Sequence, residues 1–281
     1  MGSNSRVLKI KLTFAKIVKF YMATYTTEIA SDKLVSDNPI HQRLLKAYIA
    51  AKPWIKGDLL EIGCGEGRGV ETLLPLANSY VGIDKIGEVI SGLRQRFSGV
   101  DFRQAVIPPF EGFEDESFDT IVSFQVIEHI QDDRLFLQEI YRMLKPGGKA
   151  VISTPNNTHT LSRNPWHIRE YVPQELIDLA GSIFDRVEAK GIGGNEKVWN
   201  YHEANRKSVQ KIMRFDVLDL QHRLPAWILR MPYEILNRMN RNKLHQQQGD
   251  SVVQITHEDY PLVENASEGL DLFYVLWKKE K

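Results

Sequence analysis

Leu59-Leu60-Glu61-Ile62-Gly63-Cys64-Gly65-Glu66-Gly67-Arg68-Gly69 is the stretch on which the reading of this chain turns. An apolar run ends in an acidic residue and then breaks into glycines at alternate positions from 63 to 69. Glycine takes backbone φ values that a Cβ forbids, and lets a ligand lie against the main chain. The dinucleotide fingerprint G-x-G-x-x-G would need glycine at 68 or 70, where Arg68 and Val70 stand. A loop that leaves a parallel strand and enters a helix gathers unsatisfied N–H groups and attracts the negative end of a ligand. Asp84 closes a second apolar run 21 residues after Gly63, where a carboxylate accepts hydrogen bonds from both hydroxyls of a ribose. Together these features predict a nucleoside-containing ligand, without saying which.

Outward from that loop the pattern alternates helix and strand. Helices are expected over residues 41–51, 69–77 (interrupted by Pro75), 86–97, 132–143 and 173–180. Strands are expected over 59–62, 80–83, 100–103, 118–124, 149–153, 186–192 and 270–277, with a turn at Lys145-Pro146-Gly147-Gly148 before the fifth. Such alternation means an α/β fold: a seven-stranded, mostly parallel sheet with helices on both faces. One domain is expected, with a helical cap segment over 1–40, a ligand-binding core over 41–196, a helical insertion over 197–258 and the final strand in 259–281. Within the cap, residues 7–22 place Val7, Ile10, Phe14, Ile17, Val18 and Tyr21 at helical spacing with lysines opposite, a basic amphipathic helix. Within the insertion, Pro225 breaks the chain and a second helix follows over 226–240, with a kink or restart at Pro232.

The composition, 42% hydrophobic and 26% charged over 281 residues, is that of an ordinary globular protein. A single cysteine excludes a disulfide framework and a Cys-based zinc site. No apolar run reaches the ~18–20 residues of a membrane span, and no signal-peptide pattern stands at the start, so a cytoplasmic location is expected. Net charge is zero but uneven: residues 206–243 carry nine Lys/Arg against three acids, and residues 6–19 carry five against none.

The motifs resemble the class I S-adenosylmethionine-dependent methyltransferases, specifically the small-molecule group called type 11. Leu60–Gly69 is similar to that family's first motif, and Val81-Gly82-Ile83-Asp84 to its ribose-binding strand end. Phe118-Asp119-Thr120-Ile121-Val122-Ser123 with Val126-Ile127-Glu128-His129-Ile130 resembles its fourth-strand motif, and Leu144-Lys145-Pro146-Gly147-Gly148 the turn before strand five. The resemblance implies a Rossmann-like methyltransferase fold with S-adenosylmethionine as cofactor and S-adenosylhomocysteine as product. By position, Glu61 would orient the methionine amino group or the loop itself. Gly63, Gly65 and Gly67, with Cys64 among them, would admit the methionine part and the ribose. Asp84 would bind the ribose hydroxyls, and Lys85 or Ile86 would cover the adenine. Where many members carry an acid beside the adenine amino group, this chain has Gln104-Ala105; a Gln oxygen still accepts, and the Ala105 N–H still donates. Ser123 and Gln125 would line the sulfonium end.

The sulfonium already makes the methyl group electrophilic, so the protein's task is to position a nucleophile, with a base where a proton must leave. His167 and His129 are the candidate bases, His167 favoured. Trp166, Arg169, Glu170 and Tyr171, on the loop after strand five, would shape the substrate pocket; a packed loop with internal ion pairs is the plainer reading. The acceptor is expected to be a small molecule methylated on oxygen, anionic or lipid-like if the basic cover attracts it. Peripheral membrane contact through the basic amphipathic helices is one reading, a solvated charged face the other. No nucleic-acid reader module is present, and no Asp/Asn cluster of the catechol-methyltransferase kind, so neither nucleic acid nor a metal is expected. The competing functions are a non-catalytic binder of the same cofactor and an NAD-dependent oxidoreductase.

Overall fold

The structure, a computed structural model, describes residues 35–214, 216 and 219–281. The basic amphipathic helix expected over residues 7–22 lies outside the described residues. The sheet is built from β1 (Asp58–Ile62), β2 (Ser79–Asp84), β3 (Asp101–Gln104), β4 (Phe118–Phe124), β5 (Leu144–Pro155), β6 (Arg186–Ile192), β7 (Leu262–Val263) and β8 (Asp271–Trp277). The helices are α1 (Asn38–Ala51), α2 (Val70–Leu73), α3 (Gly87–Arg96), α4 (Asp133–Met143), α5 (Pro173–Gly181), α6 (Glu196–Met213), α7 (Leu220–Arg223) and α8 (Ala226–Val253).

The strand order is β3-β2-β1-β4-β5-β8-β6-β7. Strands β3, β2, β1, β4 and β5 run parallel, and β8 inserts antiparallel between β5 and β6. Chain order reverses between β1 and β4, so the crevice beyond their carboxyl ends is the topological switch point where α/β sheets bind ligands. Alternate side chains of each strand enter opposite cores. Leu60, Ile62, Ile121, Ile152 and Tyr274 pack on one face, and Leu59, Val122, Val151, Phe273 and Val275 on the other. Leu60 is fully buried; trimming such a side chain to alanine costs about 2–5 kcal/mol.

Four expectations are corrected. The sheet has eight strands rather than seven, because two-residue β7 pairs antiparallel with the end of β6. A strand that short leaves no hydrophobic period to read. The Lys145–Gly148 turn lies within β5, as a bulge between the pairs Phe118↔Leu144 and Thr120↔Lys149, with Gly147 at φ +73°. The helix expected over 69–77 is one short α2 followed by a 3₁₀ turn at Leu74–Leu76, where Pro75 removes a backbone donor. Helix α8 passes Pro232 without a restart and runs on to Val253, beyond the expected end at 240.

The helical cover is pinned by α1. Asn38 donates from Nδ2 to the carbonyls of Val252 (2.8 Å) and Ile255 (2.9 Å). Asp37, 1% exposed, receives Arg238 at 2.8 Å and Arg241 at 3.1 Å. Two cations of the basic insertion therefore turn inward, and Arg230 lies 4.1 Å from the centroid of the Trp166 ring. The first half of α8 shows several apolar side chains to solvent: Trp227, Met231, Ile235 and Met239 are all exposed. Among the described residues no helix is long and apolar enough to cross a membrane.

Candidate active site

The glycine loop leaves β1 at Ile62, and the N–H groups of Gly63 and Cys64 both donate to the Ile83 carbonyl, at 2.8 and 3.0 Å. Gly63 has φ +76°, and a Cβ there would stand 2.4 Å from Cγ2 of Val126. Gly65 has φ +49°, with nothing within 4 Å of where its Cβ would be. The first glycine thus serves packing against the segment after β4, and the second leaves an open face. The Asp84 carboxylate takes one N–H on each oxygen, from Gly65 (3.0 Å) and Ile86 (2.9 Å), so it shapes the loop it borders.

Glu61 is 1% exposed and accepts hydrogen bonds from the Tyr48 hydroxyl at 2.9 Å and from the Tyr80 hydroxyl. Burial pushes its carboxyl up to about 7, against those two donors. Both of its oxygens are thus taken up by tyrosine hydroxyls, one from α1 and one from β2. Burial also pushes the Cys64 thiol well above its ordinary range, leaving an inert packing group. Gln104 donates from Nε2 to the Lys85 carbonyl at 3.1 Å and lies against Gly87, beside an exposed Lys85. The Ala105 N–H donates to the Asp84 carbonyl at 3.0 Å, extending the β2–β3 ladder. This corrects the expectation that it donates to a ring nitrogen. Ser123 is buried at the end of β4.

Past β4 the chain turns at Gln125, whose φ of +57° is rare outside glycine and asparagine. That turn carries Gln125, Glu128 and His129 into the wall of a cavity of about 250 Å³ under the helical cover. From the loop after β5 come His159, Asn164, His167 and Glu170; from the cover come Arg43, Tyr201, His202, Tyr233 and Arg241. His167 donates from Nδ1 to Glu170 at 2.6 Å, and its Nε2 accepts from Asn164 Nδ2 at 2.8 Å. Burial alone would push Glu170 up, but hydrogen bonds from His167 and Thr160 outweigh it and hold the carboxyl below its ordinary range. His129 donates from Nδ1 to the Trp166 carbonyl at 2.9 Å, and the two imidazoles meet edge to face with centroids 5.0 Å apart. Glu128 is 1% exposed; burial, opposed by His167, pushes it up to about 7. Asp271, buried beside Arg43 at 3.2 Å, is raised by burial against that cation. His202 is pushed down to about 4 by burial and by Arg43.

The loop after β5 divides. Glu170 faces the cavity. Arg169 instead pairs with Asp133 and donates to the Gln131 carbonyl, while the Tyr171 hydroxyl donates to Asp133 at 2.8 Å. Trp166 lies under Arg230 and, like Arg169 and Tyr171, does not line the cavity. Arg169 and Tyr171 hold the loop to the start of α4, and Trp166 packs against α8. The plainer reading of an internally paired loop describes them. Arg43, Tyr201, Tyr233 and Asp271 carried no sequence signal, since each comes from an element remote from the motifs, and Arg241 stood out only as one of the insertion's basic residues. Glu128 stood in a quoted motif without an assigned role.

Residues 60–152 match the family model described as "Methyltransferase domain". The Mycolicibacterium smegmatis protein named "Probable S-adenosylmethionine-dependent methyltransferase" is 39% identical over 136 residues, 47% of this chain and 52% of that one. Rat mitochondrial ubiquinone biosynthesis O-methyltransferase is 33% identical over 129 residues, 42% of this chain and 37% of that one. The matched stretch therefore spans about half or less of these relatives' own length. A solved S-adenosylmethionine-dependent methyltransferase from Thermotoga maritima superposes with TM-score 0.53 at 18% identity, covering 85% of this chain and 92% of that one. That likeness is one of fold.

Proposed function

We propose, from the membership of this chain in the class I S-adenosylmethionine-dependent methyltransferases of the type 11 group, that it methylates an oxygen of a small polar acceptor. One observation carries the reading. The segment 125–129 is a shared wall: Val126 packs against Gly63 of the glycine loop, and Gln125, Glu128 and His129 line the cavity beside it. A cofactor with its ribose at Asp84 would lie along the open face of Gly65 and bring its sulfonium toward that wall. The acceptor would occupy the cavity.

Displacement forms the oxygen–carbon bond as the sulfur–carbon bond breaks. The sulfur keeps the bonding pair and becomes a neutral thioether, and the acceptor's proton must leave. The groups placed to activate that hydroxyl are His129 and His167, the latter oriented by Glu170 as an imidazole with its lone pair on Nε2. Tyrosine and asparagine side chains around them suit a hydroxylated acceptor, and relatives named O-methyltransferases support oxygen as the acceptor atom. An anionic acceptor drawn by free cations is not favoured, because Arg238 and Arg241 are paired with Asp37 and Arg43 with Asp271.

The test is calorimetry of the full chain with S-adenosylmethionine, S-adenosylhomocysteine and NAD, followed by a screen of hydroxylated metabolites for methyl uptake. Binding of the first two without NAD, and methyl transfer to a hydroxyl, is the expected result. Tight NAD binding with no response to the others refutes the donor. Tight cofactor binding with no acceptor across the screen favours a non-catalytic binder.

A further inference from the structure

We propose that Glu128, His129 and His167 form a binding site for one divalent transition-metal ion, open to the acceptor cavity. The site would hold the acceptor oxygen, an extension that rests on the methyl-transfer reading above. This departs from the metal-free expectation, which looked for an Asp/Asn cluster along the sequence. Two segments of the chain instead bring a carboxylate and two imidazoles together only in the fold.

The metal-ligating atoms of the three residues lie within 4.8 Å of one another. Tetrahedral ligation at about 2.0–2.2 Å sets donors roughly 3.4 Å apart, so modest side-chain rotations close the set. Glu128 adds an independent sign. It is 1% exposed; one carboxylate oxygen accepts from Thr154 at 2.9 Å, and the other is buried with no hydrogen-bond partner. A buried acceptor left that way in a polar site calls for an occupant.

Both imidazoles are also oriented as metal ligands are. A ligating histidine donates its other ring N–H to a carbonyl or carboxylate, which sets the tautomer and the ring plane. His129 does so through Nδ1 to the Trp166 carbonyl, and His167 through Nδ1 to Glu170. Each therefore carries its lone pair on Nε2. At His167 the Asn164 amide donates to that lone pair at 2.8 Å, and an arriving ion would displace it. Two nitrogens and one carboxylate suit Zn²⁺ or Co²⁺ and not Mg²⁺, which prefers an all-oxygen shell. A bound ion would acidify the acceptor hydroxyl, whose proton then passes to water as the methyl group transfers. A histidine engaged as a ligand does not also take that proton, so the ion replaces the direct base.

The full chain, stripped with a chelator, would be titrated with Zn²⁺ by calorimetry and with Co²⁺ by visible absorbance. S-adenosylmethionine binding and far-UV circular dichroism are recorded on the same samples. The expected result is one equivalent of Zn²⁺ per chain and four- or five-coordinate Co²⁺ bands. Both are lost in His129→Ala and His167→Ala, while cofactor binding persists. Glu170→Gln, which loosens the orientation of His167, weakens Zn²⁺ about 10–100-fold. Absence of stoichiometric binding, or binding that survives both alanine substitutions, overturns the site. Preference for Mg²⁺ over Zn²⁺ overturns the assigned class of ion. Zn²⁺ binding in a chain that does not bind S-adenosylmethionine leaves the site standing and removes the methyl-transfer reading instead.

Discussion

Substituting alanine at Gly65 and at Gly63 separates what the glycine loop does for folding from what it does for binding. At Gly65 the added methyl meets nothing within 4 Å, so the folding penalty comes only from φ +49°. A left-handed L-residue costs about 1–2 kcal/mol, and each kcal/mol shifts Tm by roughly 2–4 °C in a domain near this size. The expected loss is roughly 2–8 °C. At Gly63 the backbone is equally left-handed at φ +76°, and the methyl would also sit 2.4 Å from Val126 Cγ2. Overpacking adds about 1–3 kcal/mol, so Gly63→Ala loses about 2–5 kcal/mol in all. Binding should rank the other way for its cause: the Gly65 methyl stands on the open face where the cofactor would lie. Thermal melts and calorimetry with S-adenosylmethionine read the two quantities on the same samples. Gly65→Ala should stay folded at room temperature and bind at least tenfold more weakly. The reasoning is refuted if Gly65→Ala binds like the parent chain, or if it loses as much stability as Gly63→Ala.

Particular contacts support three more predictions. If Asp84 accepts from both ribose hydroxyls, Asp84→Ala removes two charged hydrogen bonds; at about 1.5–3 kcal/mol for each, affinity for S-adenosylmethionine should fall at least a hundredfold. A dissociation constant within twofold of the parent would remove the ribose role. Glu61 ionises near pH 7 when folded, against 4.5 for an ordinary glutamate. The folded state therefore holds the extra proton, and stability should decline as pH rises from about 4.5 through 7. Glu61→Gln should flatten that decline, which amounts to roughly 3 kcal/mol; denaturant midpoints at pH 5 and pH 8 that differ as much as in the parent chain would contradict it. Asp37→Ala strands Arg238 and Arg241 beneath the cover. Breaking such a buried pair costs about 3–5 kcal/mol, and urea unfolding that shows less than about 1 kcal/mol would mean the pairing does not hold α8 in place.

The parallel strands were legible because each is a short apolar run bounded by turn residues, and burial on both faces demands such runs. Local richness in chemistry does not say which groups face inward and which pair with one another. Trp166, Arg169 and Tyr171 looked like a binding loop, yet Asp133 at the start of α4 takes Arg169 and Tyr171, and Arg230 covers Trp166. The basic insertion divides in the same way. Arg238 and Arg241 turn inward onto Asp37, which precedes α1, while Lys207, Lys211, Arg214, Arg223, Arg230 and Lys243 stay exposed. Periodicity reports which face of a helix is apolar, but it does not report which buried acid lies opposite.

The sequence by itself determined the glycine loop and the strand ends beside it. The spacing of Gly63, Gly65 and Gly67 and the position of Asp84 at the end of β2 are local facts, set by backbone sterics and strand length. Tertiary structure alone decided the cavity beside that loop. Glu128, His129 and His167 meet only because the segment after β4 and the loop after β5 converge beneath a cover made by α1, α6 and α8. Convergence of segments so far apart depends on packing, and packing leaves no pattern within any one of them.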